Sequence, residues 1–288
     1  MSIRIILTPV FGGAADAGAL AAGLGIARRF QAHLSALFVR IDPIDAIPIV
    51  GEGVSPAVID QLTEAAAAEI DRQRAAATAT FESACRAAGI PIAERAPDLR
   101  GPSAAWREEI GRRDEVVPRR ARVCDLVVFG RAQDDASPDR AAVLEATLFG
   151  AGRPLLLVPS EPPAEIGERV VIAWNDGAEA ARAVAGALPF LDSAKAVHVL
   201  TAETRRTAPE VGQDLVGYLQ WRGIAADCEQ VASTNGPVAE ALLQAAAGIG
   251  ADLLVMGGYG RTRLSELVLG GVTRHVLSHP TIPVLMAH

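Results

Sequence analysis

Two consecutive α/β sandwiches, each built on a five-stranded parallel sheet, are the fold that this 288-residue sequence predicts, and three observations carry that expectation. The chain repeats itself in order: Cys124-Asp125-Leu126-Val127-Val128-Phe129-Gly130 matches Ala251-Asp252-Leu253-Leu254-Val255-Met256-Gly257, and Arg153-Pro154-Leu155-Leu156-Leu157-Val158 matches Ile282-Pro283-Val284-Leu285-Met286-Ala287. In each copy short β-branched runs alternate with longer Ala-rich stretches, the pattern of βα units. Runs such as Leu253-Leu254-Val255-Met256 are apolar without alternation, which places their strands between two covered faces.

The first copy reads as strands near 3–10, 34–40, 90–96, 125–130 and 154–158. Its second helix is long, because from Pro56 to Ala88 no further Pro and no Gly interrupts a run of good helix formers. Ile59, Leu62, Ala66, Ile70 and Ala77 fall at helical spacing there and are expected to pack on the sheet. Gly101-Pro102-Ser103 matches Gly236-Pro237-Val238 of the second copy, and Glu108-Glu109 and Arg112-Arg113, at i, i+4 spacing, are expected on a helix as surface ion pairs. Arg119-Arg120-Ala121-Arg122 reads as a solvated helix face. Pro159-Ser160-Glu161-Pro162-Pro163 suits a linker and divides the chain into domains 1–160 and 161–288. The second copy reads as strands near 169–174, 196–201, 224–231, 252–257 and 283–287, with helices near 178–190, 209–222, 237–249 and 263–278.

Composition narrows the function classes. With 50% hydrophobic, 4% aromatic and 21% charged residues the core is aliphatic. A net charge of −7 argues against a nucleic-acid partner. Cys85, Cys124 and Cys228 show no metal-site or disulfide spacing, as in a reducing compartment. No basic leader and no run of about 20 apolar residues is present, so a soluble cytoplasmic protein without a membrane partner is expected.

The segment with most chemical content is Met256-Gly257-Gly258-Tyr259-Gly260 through Leu269-Gly270-Gly271-Val272-Thr273. It begins at the carboxyl end of a strand, where open α/β sheets bind ligands. Glycines there let main-chain N–H groups approach phosphate oxygens, and the start of a following helix adds a favourable dipole. Arg261 and Arg263 add positive charge. An isolated glycine pair would read as a plain turn; this spacing says more.

Gly257, Gly260 and Gly270, with nine residues between the second and third and with Pro283-Val284-Leu285 closing the pattern, resemble the nucleotide-binding signature of the universal stress protein family. The resemblance covers both copies. It implies flavodoxin-like, Rossmann-type (adenine nucleotide alpha-hydrolase-like) sandwiches whose last strands pair antiparallel, so that the tandem forms an internal pseudo-dimer. It further implies a stress-response regulatory protein whose second copy binds an adenine nucleotide, ATP with magnesium. Carried over by position, its site comprises Ala173, Trp174, Asn175, Val199, Met256, Gly257, Gly260, Gly270, Gly271, Val272 and Thr273. Asn175 stands where the family has an acidic residue, and Gly271 where it has Ser or Thr. Each loss removes a hydrogen bond or its charge, about 0.5–1.5 kcal/mol, a few-fold to tenfold in affinity.

The first copy departs further. Phe11 stands at the acidic position, and Gly130-Arg131-Ala132-Gln133-Asp134-Asp135 replaces the glycine loop with carboxylates that would repel phosphate. That copy is expected to be structural or to face a partner, its Phe149-Gly150-Ala151-Gly152 forming a helix cap. No GxxxxGK[ST], GxGxxG or GxSxG segment and no general base in the motif supports catalysis beyond slow ATP hydrolysis. His275 and His279 lie at i, i+4 spacing without a carboxylate nearby, and His198 reads as a strand core residue, so no metal site is indicated. A slow ATPase, and a nucleotide-free scaffold that dimerises or encloses an apolar ligand, are the alternative readings; a regulatory protein partner and a further homodimer stay open.

Overall fold

The computed structural model describes residues 2–43, 55–93, 101–131, 138–202, 211–231, 238–259, 276 and 281–288. The N-terminal half comprises β1 (Ile5–Val10), α1 (Ala15–Phe30), β2 (His33–Arg40), α2 (Pro56–Ala88), β3 (Ser103–Ile110), α3 (Arg113–Ala121), β4 (Leu126–Gly130), α4 (Pro138–Gly150) and β5 (Leu155–Val158). The C-terminal half comprises β6 (Arg169–Trp174), α5 (Ala178–Leu191), β7 (Ala196–Ala202), α6 (Val211–Gln220), β8 (Asp227–Val231), α7 (Val238–Ile249), β9 (Leu253–Gly257) and β10 (Val284–Ala287).

All ten strands form one sheet in the order β3-β2-β1-β4-β5-β10-β9-β6-β7-β8. Every pairing is parallel except that of β5 with β10, where Leu156 faces Leu285. The halves are thus two doubly wound parallel sandwiches joined edge to edge. The pairing of β5 with β10, whose four residues each are all buried, covers the edge that each half would otherwise expose, leaving β3 and β8 as the outer strands.

Two cores sandwich the sheet, and each runs through both halves. One holds Leu20 and Leu24 of α1, Phe81 of α2, Val184 and Phe190 of α5, and Leu215 and Leu219 of α6. The other holds Val116 and Val117 of α3, Val143 and Leu148 of α4, and Leu242 and Ala246 of α7. Aromatic contacts close the seam on both faces. Phe30 meets Phe190 edge-on at 5.3 Å, with the Arg29 guanidinium over both rings and donating to Ser193 Oγ. On the opposite face Phe149 contacts Tyr259 and His288.

The repeated Asp has a definite job. Asp125 accepts the N–H groups of Arg4 and Ile5, and Asp252 accepts those of Gly167, Glu168 and Arg169, so each carboxylate tethers the start of the half's first strand. Hydrogen bonds to a charged acceptor contribute about 1.5–3 kcal/mol.

Three expectations for the first copy are corrected. Its third strand is Ser103–Ile110 rather than 90–96; of that stretch residues 90–93 are described, with Ile92 bridged to Ala104, and 94–96 lie outside the described residues. Ser103 therefore opens a strand, unlike Val238, and Glu108-Glu109 lie on β3 instead of a helix. Packing explains it: Trp106 stacks on Phe38 at 6.2 Å and meets Phe81 at 5.7 Å, while Arg74 holds Glu108 and both Arg119 and Arg120 hold Glu109. The third correction concerns α2. Ile70, Ala77, Phe81 and Cys85 are buried, but Ile59 and Leu62 are 42% and 40% exposed. A 33-residue helix is about 50 Å long, whereas the eight-residue strands beneath it span about 27 Å, so its first turns overrun the sheet.

Candidate functional site

Each half has one place where the strand order reverses. β1 is flanked by β2 and β4, and β6 by β7 and β9, so the chain leaves in one direction and returns in the other. At such a point, outside the carboxyl ends of the strands, doubly wound sheets bind their ligands.

In the C-terminal half this crest gathers several of the residues singled out in the sequence. Ala173 and Met256 are register partners on β6 and β9, so Trp174-Asn175 and Gly257 emerge side by side. Asn175 is exposed, and its Oδ1 accepts the Gly177 N–H at 3.0 Å, turning the chain into α5. That bond uses one lone pair and leaves the side-chain NH₂. Asp176, exposed and at φ 58°, places a carboxylate one position after Asn175, a group that the position-by-position reading passed over. Glu179 sits in the first turn of α5 and pairs with Arg182 at 3.3 Å.

Other members have structural duties. Trp174 is half-buried against the core shared by α5 and α6, and its Nε1 donates to the Val211 carbonyl at 3.1 Å. Val199 lies in the middle of β7, wholly buried in the same core, and Met256 is buried in the opposite one. Gly257 is a packing glycine: a Cβ there would come to 2.7 Å from the Ala180 nitrogen. Gly258 N–H donates to Ala287 O, and its carbonyl lies 3.1 Å from His288 Nδ1. Gly260, Gly270, Gly271, Val272 and Thr273 lie outside the described residues, as do Arg261, Arg263, His275 and His279.

The same place in the N-terminal half is filled by its own side chains. The Arg140 guanidinium lies 4.3 Å from the centre of the Phe11 ring, and that of Arg113 lies 5.4 Å from it. Arg140 pairs at 3.1 Å with Asp16, whose carboxylate also accepts the N–H groups of Phe11 and Gly12. Arg113 bonds Asp139, Gln73 and the Val39 carbonyl. Arg113 is therefore 9% exposed and central, a correction to its reading as a surface partner. A helical surface pattern could not reveal this, because its partners come from α2, α4 and β2. Helix α2 walls the crevice, since a Cβ on Gly12 (φ +82°) would run into the Gln73 backbone. Gly130 repeats the packing duty of Gly257, a Cβ there overlapping the Ala15 carbonyl. Asp134 and Asp135 lie outside the described residues.

A groove of about 540 Å³ opens elsewhere on the N-terminal half, over the α3 face of β1, β2 and β3. Ile5, Leu7 and Leu37 floor it, and His33, Arg107 and Cys124 line it. His33 Nδ1 lies 2.9 Å from Ser103 Oγ, and burial, followed by the Arg107 charge, lowers the pKa of His33. Burial pushes the thiols of Cys85 and Cys124 up to about 11, so neither is a ready nucleophile. His198 is half-buried, 4.0 Å from Asp227. Among the described residues no group of three or more His, Cys, Asp or Glu could hold a metal ion, and no helix is long and apolar enough to cross a membrane.

The sequence model of the universal stress protein family matches residues 167–288. Among solved structures, a universal stress protein from Archaeoglobus fulgidus DSM 4304 superposes with a TM-score of 0.66 at 16% identity, covering 100% of this chain and 99% of its own. A protein from Pseudomonas aeruginosa UCBPP-PA14 assigned to the same family superposes at 0.54 with 18% identity, covering 98% and 92%. A functionally unknown protein from Pseudomonas aeruginosa PAO1 reaches 0.53 at 18% identity over the same shares. A search of the curated proteins finds no match to the sequence. Residues 167–288 thus carry a universal stress protein domain, and the chain as a whole shares the fold of these solved structures, in keeping with two tandem Rossmann-like halves.

Proposed function

We propose that the chain is a stress-response regulator whose C-terminal half, residues 161–288, binds one adenine nucleotide, ATP with magnesium, at the crest of β6 and β9. Membership of residues 167–288 in the universal stress protein family supports the stress-response role. The observation that carries the nucleotide reading is the contrast between the crests. In the C-terminal half Asn175 and Asp176 stand exposed beside Gly257, whereas Phe11, Arg113, Arg140 and Asp16 occupy the corresponding place in the other half. Asn175 and Asp176 would serve the ribose hydroxyls. Because both main-chain groups of Gly258 are already engaged, phosphate contacts fall to the amides that follow it. Occupancy of this site would alter the surface offered to a regulatory protein partner.

Isothermal titration of the full chain with ATP and magnesium tests the reading. One site per chain is expected, lost in Gly260→Val and retained in Arg140→Lys. Absence of heat at high micromolar protein, or two equivalent sites, overturns it.

A further inference from the structure

The segment that opens the glycine loop is held by the other half of the chain. Tyr259 has φ 49°, a left-handed conformation that costs a bulky residue about 1–2 kcal/mol and persists only where its surroundings enforce it. Its surroundings here cross the seam. The Tyr259 ring is 8% exposed and lies 5.0 Å, centre to centre, from Phe149 of α4, tilted by 37°. A second ring reaches Phe149 from the same half as Tyr259: His288 meets it edge-on at 4.6 Å, and His288 Nδ1 lies 3.1 Å from the Gly258 carbonyl, which can only accept. The neighbouring Leu148 closes the remaining space, since a Cβ on Gly258 would come to 2.9 Å from its Cδ2. Gly258 and Tyr259 are thus seated on two consecutive side chains of the N-terminal half.

We infer that Phe149 is a positioning residue for the C-terminal nucleotide loop: the N-terminal half, its own crevice filled, acts as a built-in clamp that sets the backbone of Gly258-Tyr259, where that loop begins. The inference rests on the proposed nucleotide site for its functional consequence, but the clamp itself is a statement about the chain alone. Phe149 touches no ligand in this scheme. It acts by keeping Tyr259 in a backbone conformation that an unsupported tyrosine would leave. Without the ring, the loop would spend part of its time in relaxed conformations, and apparent affinity would fall by that fraction.

Two measurements on the full chain test this for wild type, Phe149→Ala and Phe149→Tyr, with Val143→Ala as a control. Val143 is a wholly buried residue of the same helix, so its truncation lowers stability without removing the ring. Amide hydrogen exchange of the peptide containing residues 258–260 needs no nucleotide. It is expected to speed up about three- to tenfold in Phe149→Ala, the range of an aromatic pair's contribution, and to stay near wild type in Phe149→Tyr and Val143→Ala. Titration with ATP and magnesium is expected to weaken by a similar factor in Phe149→Ala alone. Unchanged exchange in Phe149→Ala, or equal acceleration in Val143→Ala, overturns the clamp whatever the nucleotide does. Faster exchange with unchanged affinity overturns the positioning role. Faster exchange in a chain that binds no nucleotide supports the clamp and removes the proposed site, so the two failures are told apart.

Discussion

The two crests of this molecule stand on nearly the same scaffold and end in opposite chemistry. In each half the fourth strand closes with a glycine that the start of a helix presses against, Gly130 against Ala15 and Gly257 against Ala180. In each half an Asp before that strand tethers the first strand. Beyond those shared parts the halves diverge. The first plants Phe11 beneath two buried guanidinium groups and pairs one of them with Asp16, while the second leaves Asn175 and Asp176 exposed. The difference teaches that a strand-end glycine in this architecture is first a packing requirement. Whether a crevice receives a ligand is decided by what the neighbouring side chains put into it.

The sharpest way to break the comparison is to empty the filled crest. Asp16 is almost wholly buried and Arg140 is its charged partner, so Arg140→Met preserves bulk while stranding a carboxylate. Removing one member of a buried pair costs about 3–5 kcal/mol, because the remaining charge stays uncompensated. A fall of that size in urea-unfolding stability is expected, partly recovered by adding Asp16→Asn. A loss under about 1 kcal/mol would show that the network is not what fills the crevice. In the second crest the positions after β6 are Asn175, Asp176 and Gly177, the first two exposed.

A smaller effect tests the shared part. Gly130→Ala and Gly257→Ala each force a methyl into main-chain atoms of the helix start, and overpacking of this kind costs about 1–3 kcal/mol. Both are expected to destabilise comparably, with Gly130→Ala the worse because its neighbour is a carbonyl oxygen in direct overlap. If Gly257→Ala were neutral in stability yet abolished ATP binding, its role would be phosphate contact instead of packing.

What the sequence made legible follows the same division. The apolar strands β4, β5, β9 and β10 and the tandem repeat are local signals, and the repeated Asp125 and Asp252 marked the equivalent positions correctly. Strand β3 was hidden because Ser-Ala-Ala-Trp-Arg-Glu-Glu-Ile has little alternation; as an outer strand it draws its stability from Phe38, Phe81 and arginines supplied by other elements. Arg113 looked like a surface residue for the same reason, since nothing near it in sequence announces Phe11, Gln73 or Asp139 as neighbours. Tyr259 offered only an aromatic among glycines, and its partner Phe149 lies in the other copy, where only a comparison of the two halves in space could find it.

The smallest expected effect is a response of the N-terminal half to acidity. His33, on β2 at the groove of the N-terminal half, has its pKa lowered by burial and then by Arg107, and it shares that groove with Glu109 and Arg120. In the unfolded chain a histidine titrates near 6.5, so between that value and the lower folded one the unfolded state binds the additional proton. Stability linked to His33 is therefore complete above about pH 6.5 and declines as the pH drops toward the folded value, the sense in which stability rises with pH wherever the unfolded state holds more protons. Comparing urea midpoints at about pH 5.5 and 7.5 for wild type and His33→Gln isolates the contribution, because other titrating groups are common to both. The wild type is expected to lose more on acidification than the variant. Equal losses would mean that the imidazole keeps its hydrogen bond to Ser103 in the protonated state at no cost, and that the Arg107 charge does not reach it.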